Sequence, residues 1–154
     1  MFTDLSDSTR TARELGDGRW AALLAELNQA ARLEIERWNG REVATTGDGF
    51  LLVFDSPTRA VRAASAVVAG SRGFGLRSRA GVHIGEVELV GDVVRGVAVH
   101  AAARILALAR PDEVLVSDTV RDLLTGSGLE FEPRGSRELR GLEGTRTLFA
   151  LSTA

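Results

Sequence analysis

The chain has no cysteine, no tyrosine and no lysine, and only 3 prolines in 154 residues. Without cysteine it can form no disulfide, no Cys-ligated zinc site, no iron–sulfur cluster and no thiol nucleophile. Without lysine it has neither a P-loop amine nor a Schiff-base amine, and its 19 permanently basic side chains are all arginine. No apolar run reaches the roughly 18 residues that span a bilayer, and the N-terminus lacks the basic, apolar and small-residue order of a signal peptide. A cytoplasmic protein, with no membrane contact in this segment, is the expectation. Positive charge is not in excess either: 19 Lys+Arg against 21 Asp+Glu give a net charge of -2, so nucleic acid is not the expected partner. What is present is the composition of one globular domain, 44% hydrophobic and 26% charged. It is expected to span residues 1–154 and to bury roughly two-thirds of its unfolded surface.

Periodicity supplies the elements. Met1 to Leu5 reads as the tail of a strand cut short, followed by Ser6, Asp7, Ser8 and Thr9, which offer helix-capping side chains. Trp20, Leu23, Leu24, Leu27, Ala31, Ile35 and Trp38 recur every three or four positions, predicting a helix from Arg19 to Trp38 that Asn39-Gly40 stops. Glu42–Thr45 and Phe50–Phe54 are extended and flank Thr46-Gly47-Asp48-Gly49, where Asp-Gly signals a tight hairpin. Pro57 suits the first turn of a second helix reaching Ser71. A long extended stretch is expected from Leu76 to Val90, an Ala-rich helix from Gly96 to Ala109, a strand at Glu113–Ser117 and a short helix at Asp118–Leu124. Leu129–Pro133 and Thr147–Leu151 are two closing strands.

Strand, helix, strand, strand, helix, strand is the order of a ferredoxin-like βαββαβ core, here an α+β fold with C-terminal additions. In that topology the first and second strands run in the same direction and the third lies antiparallel between them. The end of the first strand and the hairpin turn then share one edge, so Asp4 and Asp48 are predicted to meet there. Two carboxylates on adjacent loops suit a divalent cation bound through hard oxygen ligands, and Mg²⁺ commonly takes one or two carboxylates plus substrate phosphates. The plain alternative is a strand-end cap beside an ordinary Asp-Gly turn. The free amides of Leu5 to Thr9, at a helix start, would suit a polyphosphate. Asp7 opposes this unless it binds metal or points outward.

His100 and Arg104 lie four residues apart on the Ala-rich helix and so share a face. A solvated polar stripe is one reading. The small neighbours Ala98, Ala101, Ala102 and Ala103 suit close packing and point instead to a subunit interface. Arg140, in Glu138-Leu139-Arg140-Gly141-Leu142, is either a phosphate contact or an isolated surface arginine.

Together these segments resemble one family. Phe2-Thr3-Asp4-Leu5 with Ser8-Thr9, Thr45-Thr46-Gly47-Asp48-Gly49-Phe50, Ala80-Gly81-Val82-His83-Ile84-Gly85-Glu86-Val87, Gly96 to Ile105, and Glu138 to Leu142 resemble the bacterial class III nucleotide cyclase catalytic domain. Five ordered motifs covering nearly the whole chain are more specific than any one alone. The resemblance implies a head-to-tail homodimer with two sites, each built from both subunits, acting on a nucleoside triphosphate. Asp4 and Asp48, with the Leu5 carbonyl, would bind two Mg²⁺ or Mn²⁺ ions per site. Arg104 would stabilise the transferring phosphorus centre across the interface, and Ser8, Thr9 and Arg140 would hold phosphates.

Some positions depart from the family pattern. Ala44 stands four residues before Asp48, where purine-specific relatives carry lysine, and Val93 stands where its aspartate or threonine partner is usual. The base pocket is therefore apolar. His100 replaces a ribose-orienting asparagine but can still donate a hydrogen bond. Asp7 replaces a common glycine, and the first strand lacks residues that usually precede Phe2. Two functions remain: a nucleotide cyclase of atypical base selectivity, favoured by Asp4, Asp48 and Arg104, or a catalytically inactive nucleotide-binding or dimerisation module, favoured by the lost base-reading pair. Either is compatible with regulatory domains in a longer native chain.

Overall fold

The computed structural model describes residues 1–152 as an α+β fold. β1 (Phe2–Leu5), α1 (Ser8–Leu15), α2 (Asp17–Arg37), β2 (Arg41–Thr45), β3 (Phe50–Val53), α3 (Pro57–Arg72) and β4 (Ser78–Val82) form the first half. A hairpin of β5 (Glu88–Val90) and β6 (Val93–Arg95), then α4 (Val97–Leu108), β7 (Val114–Ser117), α5 (Asp118–Leu123), β8 (Phe131–Glu138) and β9 (Thr145–Leu151), complete the chain. The seven-stranded sheet has the order β2-β3-β1-β4-β7-β9-β8. β3 is antiparallel to both β1 and β2, and β4 is antiparallel to β1, which is the ferredoxin-like pairing expected.

Alternation along the strands divides the core between the two faces of the sheet. On one face Leu52, Ala80, Val82 and Val116 meet Val61, Ala64 and Val68 of α3, all buried. On the other, Leu115, Leu148 and Ala150 meet Ile105 of α4. α4 lies directly on β4 because residue 81 is glycine; a Cβ there would collide with the backbone of Leu106 and Ala102. α3 starts as its sequence requires, with Pro57 in its first turn and the Ser56 hydroxyl accepting from the Arg59 amide at 3.4 Å.

Three segments differ from the periodic reading. The α1 helix is an additional element whose sequence, STRTAREL, buries no residue, so no apolar stripe announces it. Gly16, at φ 79°, separates it from α2. The stretch expected to be extended from Leu76 to Val90 breaks after Val82, and its last residues pair with β6 in a separate two-stranded sheet. That hairpin and the first turn of α4 expose Leu89, Val90, Val93 and Val97 at 47 to 52%. The last two strands are also longer than predicted, because β8 is mostly polar and exposed beyond Phe131.

His83, just past β4, donates or accepts at Nδ1 with the buried Ser117 hydroxyl, 2.8 Å away. Burial holds its pKa below the usual 6.5, helped by the Arg146 guanidinium and opposed by Asp118. Between pH 6.5 and the lowered value the unfolded chain takes up a proton that the folded chain refuses, so acidification through this window destabilises the fold. The His83→Gln variant is expected to lose less stability than wild type between pH 7 and pH 5. Urea melts at the two pH values check this; equal losses in both proteins would sink it.

Candidate metal and nucleotide site

Asp4 stands on β1 opposite Arg79 of β4, and Asp48 lies in the turn joining β2 to β3. The turn is closed by the Thr46 amide donating to the Gly49 carbonyl at 2.8 Å. Gly49 is what presses it onto β1: a Cβ at this position would overlap the Thr3 carbonyl and lie 3.1 Å from the Asp4 Cα. The Thr3 hydroxyl accepts from the Phe50 amide at 3.1 Å and locks the same corner. The structure thus brings the two carboxylates together, as the topology predicts.

Burial pushes the Asp48 carboxyl above the usual carboxylate range; the Ser8 hydroxyl opposes this and the adjacent Asp4 carboxylate adds to it. Two acidic groups in contact need a proton or a cation between them. A cavity of about 20 Å³ lies beside them, but its walls are mainly apolar, with Leu5, Leu27, Ala31, Phe50 and Val67 next to the two aspartates. No group of three or more His, Cys, Asp and Glu side chains forms a metal cluster among the described residues. The two aspartates offer oxygen donors only. Such a set suits a hard divalent cation completed by ligands from elsewhere, and not a closed structural zinc site.

Ser8 and Thr9 begin α1 beside this turn. With Trp20, Leu24, Gly47 and Asp48 they line an open cleft of about 310 Å³ on the outer side. Asp7 adopts a left-handed backbone, φ 58°, and makes no side-chain cap. Its carboxylate is exposed and paired with Arg10 at 3.3 Å, and Asp7 does not line this cleft. Leu5 closes β1 and buries its side chain with Leu27 and Leu76.

The remaining predicted residues lie elsewhere on the single chain. His100 and Arg104 are both exposed on α4. Arg140 is exposed in the turn between β8 and β9. Ala44 is exposed on the edge strand β2, and Val93 is 50% exposed at the start of β6. Arg41 of β2 donates to the Gly91 carbonyl at 3.3 Å and lies 3.4 Å from Asp92, joining the elements that carry Ala44 and Val93.

One charged residue at the site escaped the sequence reading. Arg79 donates from Nη2 to Asp4 Oδ2 at 3.0 Å. Its signal was the alternation of Arg77 and Arg79 with buried Ser78 and Ala80, which also describes any half-exposed strand.

The guanylate cyclase domain of a Catenaria anguillulae protein, solved with GTP, superposes with a TM-score of 0.85 at 20% identity, covering 98% of this chain and 93% of that one. The fold is that of the class III nucleotide cyclase catalytic domain. Sequence comparison agrees with this cyclase fold. A pH-sensitive adenylate cyclase of Mycobacterium tuberculosis is 35% identical over 158 residues, 96% of this chain and 37% of the relative. An uncharacterised protein of the same species is 35% identical over 125 residues, 80% of this chain and 33% of the relative. The cyclase-like chain spans about a third of the length of the curated relatives it first matches. No family model matches it.

Proposed function

We propose that this domain converts a nucleoside triphosphate to a 3′,5′-cyclic nucleotide and pyrophosphate, at two sites shared across a homodimer. The observation that carries this reading is that Asp4 and Asp48 line one small cavity, with the Gly49 turn pressed onto β1, in a cyclase fold. Two Mg²⁺ or Mn²⁺ ions held by Asp4, Asp48 and the Leu5 carbonyl would acidify the ribose 3′-hydroxyl and neutralise the triphosphate. Ser8 and Thr9, at the amide-rich end of α1, hold phosphate oxygens along the cleft. Arg104 of the partner subunit places a permanently charged guanidinium against the α-phosphate as charge builds there. The 3′-oxygen forms its bond to the α-phosphorus as the bond to the β-phosphate bridge breaks, with the hydroxyl proton passing to solvent. His100 donates to the ribose, and Arg140 contacts the phosphates.

Homodimer assembly is supported by the exposed apolar side chains of the β5–β6 hairpin and by the position of Arg104 on a small-residue helix outside its own Asp4–Asp48 corner. Incubating the protein with Mn²⁺ and each of ATP, GTP, CTP and UTP, followed by mass spectrometry, tests the reaction. Absence of a cyclic product from all four would refute it and leave a nucleotide-binding or dimerisation module.

The base pocket sets a second expectation. A site that hydrogen-bonds its substrate can reject an analogue by about 10⁴-fold, whereas an apolar pocket discriminates by only about 10 to 200-fold. With Ala44 and Val93 at the base-reading positions, ATP and GTP should differ by less than about tenfold in binding. The pair Ala44→Lys with Val93→Asp should favour ATP, and each single change should do less because it restores only one of the two base-reading groups. Strong wild-type purine selectivity, untouched by these substitutions, would place base recognition elsewhere.

A further inference from the structure

Arg79 holds the Asp4 carboxylate and is itself held on the other side. Its Nη2 donates to Asp4 Oδ2 at 3.0 Å, and its Nη1 donates to the carbonyl of Ala109, just past α4, at 3.2 Å. The two residues face each other in the β1–β4 ladder, so backbone hydrogen bonding fixes their separation. Both side chains are only about three-tenths exposed, and Arg79 Nε is buried. A guanidinium pinned at both ends cannot swing freely into solvent.

We propose that Arg79 competes with the divalent cation for Asp4, keeping the affinity of the nucleotide-free protein for free cation low. The inference rests on the cyclase reading above, which makes Asp4 a metal ligand. Arg79 sets a permanent positive charge against the Asp4 carboxylate, because an arginine side chain stays protonated in proteins. An arriving cation therefore meets a carboxylate already partnered by a positive charge and must take Oδ2 from a donor already bonded to it. A fixed positive charge about 5 Å from a divalent ion weakens its binding by roughly tenfold even at the dielectric constant of water. A triphosphate supplies the missing negative charge, so cation and nucleotide load together. Arg79 is then a charge competitor, and it lies on the opposite side of the balance from a residue that merely orients Asp4.

The test is Mn²⁺ binding to the full chain without nucleotide, read from the electron paramagnetic resonance signal of free Mn²⁺. The Arg79→Gln protein should bind Mn²⁺ about tenfold more tightly than wild type. Arg79→Lys, which keeps the charge and loses the fork, should stay within about threefold of wild type. Arg79→Met, retaining the apolar stem, replaces the glutamine variant if that one fails to fold. Unchanged or weaker binding in the neutral variants would overturn the proposal and make Arg79 an orienting residue. Asp4→Asn is the control for the reading beneath it: if that protein binds Mn²⁺ as wild type does, Asp4 is no ligand, and the cyclase assignment of this corner fails with the proposal.

Discussion

Asp4→Ala and Asp48→Ala should each lower divalent-dependent cyclic nucleotide formation by at least about 10³-fold, a loss of roughly 4 kcal/mol in transition-state stabilisation. Neither change should unfold the domain. Both carboxylates are partly exposed at a sheet edge, and truncation there removes charge without opening a core cavity. The two variants differ in what they leave behind. Asp4→Ala strips Arg79 of its carboxylate partner, an ion pair about three-tenths exposed and worth less than about 1 kcal/mol after solvent screening. Asp48→Ala relieves the crowding of two acidic groups, so its cation-free stability should equal or exceed that of wild type at neutral pH. Thermal melts with and without Mn²⁺, beside product assays, separate the two effects. A variant that keeps wild-type metal dependence would reduce its aspartate to a turn residue.

Arg104→Ala should leave Mn²⁺ binding intact and lower turnover by about 10² to 10³-fold, the usual effect of removing one donor from a developing anion. Its partner test decides whether the site is shared. When Arg104→Ala and Asp48→Ala proteins are mixed and allowed to exchange, half of the dimers are mixed. Each mixed dimer contains one site with every group intact, so about a quarter of wild-type activity should return. Light scattering should show the dimer in the same solutions. A mixture as inactive as its components, with dimers present, would mean that Arg104 does not reach across the interface.

Much of this corner was legible in the one-dimensional pattern because its causes are local. Asp-Gly between two apolar strands specifies a hairpin, and the strand–helix–strand–strand order places that hairpin beside the end of β1. Those two facts suffice to bring Asp48 to Asp4. The helix faces of α2, α3 and α4 follow from apolar residues at helical spacing, since each must bury one stripe against the sheet.

Tertiary structure decided the rest. The α1 helix has no buried residue, so nothing in STRTAREL distinguishes it from a polar loop until Gly16 and the packing of α2 are in place. Arg77 and Arg79 look alike in the sequence, but ladder register sends Arg77 to Asp112 and Arg79 to Asp4. The break after Val82 likewise depends on β6 pairing with β5, a partnership that hydrophobic alternation cannot name. Asp7 could be judged only once its left-handed backbone turned its carboxylate toward Arg10. The physical division is between short-range and long-range interactions. Turn chemistry and amphipathic period are written in neighbouring residues, whereas strand register and ion-pair choice belong to segments far apart in the chain. For Arg79 and Asp4 that separation is 75 residues, and only the folded sheet closes it.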